Sequence, residues 1–208
     1  MKRKIKITFI NFYLFISKPF ICLYNLIFTS IYPFWQARNV FSDKAYYSFN
    51  NYQLIPVGWR KAFGKQLTKD LKKALKQDKG LKTFRFFDIK EKYGQLCLYA
   101  NGYGQETEKI IRYYENLSIC YCLNCGKPVK YVNRTGYINY LCENCFDKEY
   151  KEGGKQGLTN DFEDFKKECR LTREDIPRNY KYELNFSAHK YEEVLIDMKI
   201  DYYKLWSL

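Results

Sequence analysis

Hydrophobic positions fall at helical spacing most clearly between Gly58-Trp59 and about Gln77. Trp59, Phe63, Leu67, Leu71 and Leu75, with Ala74, wrap one face of that stretch. Lys61, Lys65, Lys69, Lys72, Lys73, Lys76 and Lys79 gather on the opposite face, and Gly80 ends the helix. The period then changes. Thr83 to Lys90 alternates enough to be a strand, Glu91-Lys92-Tyr93-Gly94 reads as a turn, and Gln95 to Ala100 is a second strand. Asn101-Gly102 closes the hairpin, and Glu106 to Leu117 is a helix whose Ile110, Ile111, Tyr114 and Leu117 can cover the sheet. Two strands beside a helix form a small α+β layer.

The second helix delivers the chain to Cys122, Cys125, Cys142 and Cys145, two Cys-x-x-Cys pairs separated by sixteen residues. Two residues between cysteines let the chain turn back so that both sulfurs meet one ion, and a second pair closes a tetrahedron with no open position. The spacing therefore predicts structural zinc, which holds a fold together and performs no chemistry. Gly126 can take the positive φ of a tight knuckle, and Pro128 redirects the chain. Val129 to Val132 and Tyr137 to Leu141 flank Asn133-Arg134-Thr135-Gly136 as a hairpin, which completes a zinc ribbon over residues 120–146. Iron of the rubredoxin type fits less well, because Phe146 follows the second pair where the first has a glycine. Disulfides are disfavoured because eight cysteines in 208 residues are sparse for a secreted scaffold. Cys22, Cys97, Cys120 and Cys169 lie outside the motif and read as small buried hydrophobes.

The expected fold class is α+β: a helix/hairpin/helix layer over residues 56–150 continuing into the ribbon, with helical extensions at both ends. Residues 1–55 form a basic, aromatic arm. In it, Lys2, Arg3, Lys4 and Lys6 precede an apolar run from Ile7 to Ile16, and a second run extends from Phe20 to Trp35. Lys18-Pro19 breaks the apolar stretch below the roughly 20 residues of a spanning helix, and no small-residue cleavage site follows. The arm is expected to be helical and to pack on the domain or lie on a membrane surface, with peripheral membrane contact through residues 7–35. Residues 151–160 read as a linker; their glycines and lysine lack the order of a P-loop. Residues 161–208 read as a helical extension. An acidic helix runs from Asn160 to Cys169, and a longer one, capped by Ser187, runs through Trp206. The stripe Tyr191, Val194, Leu195, Met198, Tyr202 and Leu205 is either core or the seat of a protein partner.

Composition narrows the function classes. The chain is 46% hydrophobic and 19% aromatic, with 21 Tyr and 16 Phe. Its net charge is +13, of which +6 lies before residue 58 and +7 between residues 58 and 119. A lysine stripe at one-turn spacing is either a solvated helix face or a phosphate-facing surface that takes DNA or RNA without sequence preference. His189 is the single histidine, so a histidine-rich metal centre is excluded. Asp88 and Glu91 could hold a hard cation as nuclease carboxylates do, although acidic residues around a hairpin usually satisfy turns and salt bridges.

The segments Gly58-Trp59, Lys90-Glu91-Lys92-Tyr93-Gly94-Gln95-Leu96-Cys97-Leu98-Tyr99 and Cys122-Leu123-Asn124-Cys125-Gly126 resemble an uncharacterised family found in bacteriophages and prophages. That family shows Gly-Trp, Lys-Glu-Lys-Phe-Gly-Gly-Leu-Arg-Phe-Tyr and Cys-x-x-Cys-Gly blocks. Tyr93, Gln95 and Cys97 depart from it, so no role of its arginine carries over. The resemblance implies a viral or mobile-element origin. Two readings follow: a non-catalytic, nucleic-acid-associated protein of the host cytoplasm, or a protein-interaction or membrane-peripheral adaptor with zinc as a staple.

Overall fold

In the computed structural model, residues 2–39, 41–134, 137–152 and 162–172 are described, with the backbone alone given for residues 2–16 and 152. Met1–Leu171 forms one compact unit. The C-terminal helix expected from Ser187 to Trp206, and His189 within it, lie outside the described residues. So does most of the expected 151–160 linker, whose first two residues finish a π-helical turn, Asp147–Glu152.

The arm begins as α1 (Lys2–Ile31), one helix that continues through Pro19 instead of breaking there. A proline inside a helix lacks one N–H donor and crowds the preceding turn, which bends a helix more often than it ends one when the flanking turns remain bonded. Among the described residues, no helix is long and apolar enough to cross a membrane. After a 3-10 turn, Pro33–Trp35, the arm enters the core. Phe34 and Trp35 are fully buried. The Trp35 ring stacks on Phe86 at 4.8 Å between centroids, and its Nε1 donates to Thr68 Oγ1 at 3.2 Å. A second 3-10 turn, Asn51–Leu54, starts with a capping box in which Asn50 and Gln53 bond each other's backbone amides.

The amphipathic helix of the sequence is three pieces in one line: α2 (Val57–Trp59), a π-helical stretch Arg60–Gly64, and α3 (Lys65–Gln77). Its apolar face is buried as the periodicity requires, with Trp59, Leu67, Leu71 and Leu75 all at 0% exposure. Strands β1 (Arg85–Lys92) and β2 (Gln95–Asn101) pair antiparallel, with a register shift between Phe86 and Asp88. The turn is tighter than the four residues expected. Tyr93 and Gly94 alone make it, both at positive φ (53° and 77°), the geometry that matches the twist of two paired strands. α4 (Gln105–Ser118) covers the free edge of β2: the Leu96 amide donates to Ser118 Oγ at 2.8 Å and the Leu98 amide to Glu115 Oε1 at 2.7 Å. Sheet amides that would otherwise face solvent or another chain are thereby satisfied.

The ribbon follows, with β3 (Tyr131–Asn133) paired antiparallel to β4 (Asn139–Leu141), then α5 (Glu143–Phe146). The acidic helix forms α6 (Phe162–Glu168), and it belongs to the ribbon's packing. Phe162 and Phe165 join Leu141, Phe146 and Tyr150 in one buried cluster. Beyond α6 the chain lies along β3: the Val132 amide donates to the Cys169 carbonyl at 2.7 Å and the Leu171 amide to the Lys130 carbonyl at 3.0 Å.

One carboxylate ties the two long helices together. Asp78, at the C-terminal end of α3, accepts from the amides of Gly104, Glu106 and Thr107 at 3.2, 3.3 and 2.7 Å, and so caps α4 from outside. Burial alone would raise its pKa, but these hydrogen bonds outweigh burial and hold it below the usual value of 3.8. A folded-state pKa below the unfolded one stabilises above the unfolded value and is lost as pH falls through the folded value. Asp78→Ala is therefore expected to cost about 1–2 kcal/mol near pH 7 in urea denaturation. The gap between variant and parent should narrow as pH falls below 3.8, and close once pH has passed through the folded value.

Candidate metal centre

The first knuckle forms where the chain leaves α4. The Gly126 amide donates to the Cys122 carbonyl and the Cys122 amide to the Lys127 carbonyl, both at 2.8 Å. Gly126 sits at φ +83°, which a residue with a Cβ rarely adopts. The second knuckle joins β4 to α5: Cys142 caps that helix, its carbonyl accepts the Phe146 amide at 2.9 Å, and Cys145 lies one turn along. The two knuckles face each other. The four sulfurs of Cys122, Cys125, Cys142 and Cys145 all lie within 4.8 Å of one another, and Cys125 and Cys142 approach to 3.4 Å. Metal–sulfur bonds of about 2.3 Å in a tetrahedron require sulfur–sulfur edges of about 3.8 Å, so the set fits a tetrahedral thiolate centre. All eight cysteines are unbridged. Among the described residues, this is the one group of three or more metal-ligating side chains placed to share an ion.

The surroundings act on the thiols in opposite directions. Burial would raise the Cys125 thiol, but the nearby Lys127 amide and the neighbouring sulfurs outweigh it and hold it below its usual value. Burial pushes the Cys142 thiol up to about 11 and raises Cys145 as well, so metal entry must displace protons. Glu143, between the second pair, is held below the ordinary carboxylate range by Lys130, with Lys166 assisting; the Lys166 ammonium also reaches Asp147 at 2.7 Å. Cys120 is buried but stands outside the cluster, where its carbonyl accepts from Val129. Cys169 packs beside the ribbon core with its thiol pushed up to about 11 by burial. Cys22 and Cys97 are half-buried.

The centre is docked on the rest of the protein by Gly58-Trp59. The Gly58 amide donates to the Leu123 carbonyl at 2.8 Å, and Trp59 Nε1 donates to the Tyr121 carbonyl at 2.8 Å. A Cβ on Gly58 would collide with the carbonyl oxygen of Cys122, and one on Gly126 would come within 2.5 Å of the Gly58 carbonyl. The two glycines thus permit direct backbone contact. On the other side, a Cβ on Gly94 would lie 2.5 Å from the Tyr140 ring, so the hairpin turn rests against β4. The sequence signal for this docking was a glycine before a tryptophan at a helix start, which carries no distance information by itself.

The remaining site residues are distributed as follows. Lys61, Lys65, Lys69, Lys73, Lys76 and Lys79 are exposed along the α2–α3 line. Lys72 is half-buried; its Nζ donates to the Ile31 carbonyl at 3.2 Å and lies 5.0 Å over the Tyr32 ring. Asp88 and Glu91 do not converge: Asp88 pairs with Lys90, and Glu91 accepts the Gly94 amide within the turn. Each carboxylate thus has its own partner within the one hairpin.

Two measurements test the centre. Cobalt added to the metal-free chain should give the strong visible absorption of a tetrahedral thiolate ion, absent when Cys122 and Cys142 are both changed to Ser. Gly58→Ala should keep the ligands yet destabilise by about 1–3 kcal/mol, and a chelator should strip metal from it faster than from the parent. No protein-family model, curated protein or solved structure matches this chain, so function must be argued from its own surfaces.

Proposed function

We propose that the protein is a non-catalytic nucleic-acid-associated protein, of bacteriophage or mobile-element origin, whose zinc centre orients a lysine-lined helix toward the phosphate backbone of DNA or RNA. The observation that carries this reading is the uncompensated charge on the α2–α3 line. Among the described residues, none of Lys61, Lys65, Lys69, Lys73, Lys76 and Lys79 is in a salt bridge. Five lysines elsewhere are paired, Lys90 with Asp88, Lys109 with Glu106, Lys130 and Lys166 with Glu143, and Lys167 with Asp164, whereas among the described residues Lys44, Lys82, Lys92 and Lys127 are, like the stripe, in no salt bridge.

The single carboxylate on α3 itself gives the stripe no relief. Asp70 is buried, where it accepts from the Tyr114 hydroxyl at 2.6 Å and from Gln66 at 2.9 Å. Lys61, Lys65, Lys69 and Lys73 recur every four residues, a rise of about 6 Å per step, so one straight polyanion can meet several of them. The N-terminal end of the same line is bonded to the first knuckle through Gly58 and Trp59, so a zinc ion would fix the direction in which the stripe points. Zinc suits a site of four thiolates held in a tetrahedron. Backbone-directed contact of this kind confers affinity without reading bases.

The test is a titration of zinc-loaded protein against mixed-sequence single- and double-stranded DNA and RNA at two salt concentrations. With six phosphates neutralised on duplex DNA, affinity should fall by about three orders of magnitude between 50 and 200 mM salt. The variant Lys65→Gln, Lys69→Gln, Lys73→Gln, Lys76→Gln should bind far more weakly and with a shallower salt slope; it spares Lys72, which holds the end of α1. Absence of binding at low salt would sink this reading.

A further inference from the structure

The helix α1 is oriented against its own polarity. On its described turns, Asn25 and Thr29 face the protein beside the half-buried Phe28, while most of the large apolar side chains face outward. Asn25 and Thr29 are 1% and 6% exposed, whereas Phe20, Leu23, Tyr24, Ile27 and Ile31 are between 51% and 69% exposed. These five lie at i, i+3, i+4, i+7 and i+11, so they form one stripe. The inward face is held by specific hydrogen bonds: Asn25 Nδ2 donates to the Tyr47 carbonyl at 2.9 Å, and Asn50 Nδ2 donates to Asn25 Oδ1 at 2.8 Å. Leu26 and Ile21 widen the exposed stripe at 47% and 41% exposure.

A helix immersed in water on its outer side would bury Leu23 and Ile27 and leave Asn25 outside. The reversed arrangement fits a helix whose outer side meets an apolar medium. Its hydroxyls agree with that. Thr29 Oγ1 donates to the Asn25 carbonyl and Ser30 Oγ to the Leu26 carbonyl, both at 2.7 Å, so neither needs water. Charge selects the occupant. The segment Lys2–Ile31 contains Lys2, Arg3, Lys4, Lys6 and Lys18 and no carboxylate. A second copy of the same helix would bring like charges together, whereas an anionic lipid surface would pair with them.

We propose that α1 seats the stripe Phe20, Leu23, Tyr24, Ile27 and Ile31 in the headgroup boundary of an anionic bilayer, lying along the surface with its basic residues on the lipid phosphates. Two weak signals, an apolar stripe and a basic segment, together give stable but reversible attachment. This contact meets the α2–α3 lysine stripe at one point, where Lys72 Nζ reaches the Ile31 carbonyl, and on the reading proposed above the protein would hold a polyanion beside the membrane.

The experiment is flotation of the full, zinc-loaded chain with vesicles of phosphatidylcholine alone or mixed with phosphatidylglycerol. The parent should float with the mixed vesicles and much less with the neutral ones. Leu23→Gln with Ile27→Gln should weaken partitioning by about a hundredfold, since two large apolar side chains no longer enter lipid. Because both are exposed, metal content and the urea midpoint should stay unchanged, which separates loss of contact from loss of fold. The four-lysine variant of α3 should float like the parent, so failure here and failure of nucleic-acid binding are told apart. Equal flotation of Leu23→Gln/Ile27→Gln and parent would overturn the proposal. So would a concentration-dependent dimer in sedimentation equilibrium that the same double variant abolishes, since the stripe's occupant would then be a second copy.

Discussion

The backbone contact between Gly58 and the first knuckle is the constraint on which the rest of the arrangement depends. It joins the start of the amphipathic helix to the loop that carries two of the four thiols, with no side chain between them. Trp59 then fixes rotation, because its indole must donate to Tyr121 while its ring stays in the core. With that join made, α4 has one course available: it must end where Tyr121 and Cys122 meet the helix start. The hairpin below it reaches β4 through the Tyr93-Gly94 turn.

Three short blocks, far apart in the chain, therefore meet around one ribbon. Gly58-Trp59 touches the first knuckle, Gly94 touches Tyr140, and Gly126 turns the knuckle itself. Each glycine is required by a close approach or a positive φ. The thiols are thus brought together from outside as well as by their own loops, which suits a centre that holds a fold in place.

What the sequence makes legible here follows from the range of the signal. The four ligands could be read because Cys-x-x-Cys spacing is a local geometric condition, and the α2–α3 face because the 3.6-residue period repeats over five turns. The hairpin was readable to within two residues; Glu91 and Lys92 proved to be strand, since Tyr93 and Gly94 suffice for a tight turn. The orientation of α1 was not readable, because a segment apolar on nearly every side gives no period to say which face turns inward; the answer lay in Asn50 and Tyr47, remote partners of Asn25. Asp78 as a cap was equally hidden, because its three amide partners come 26 to 29 residues later. The strand-like run after α6 was missed because a few residues of pairing leave no alternation to detect.

That last run bears on the order in which the protein is made. All four cysteines leave the ribosome before Phe162, Phe165 and Cys169, yet those later residues fill one side of the ribbon's apolar cluster and bond the outer edge of β3. A nascent chain that carries all four cysteines would still expose Phe146 and Leu141 until those later residues follow. The ribbon is consequently not a detachable finger. Its boundary in space runs well past its boundary in the motif, and any transplant of residues 120–146 into another protein would carry the four cysteines but leave the cover behind.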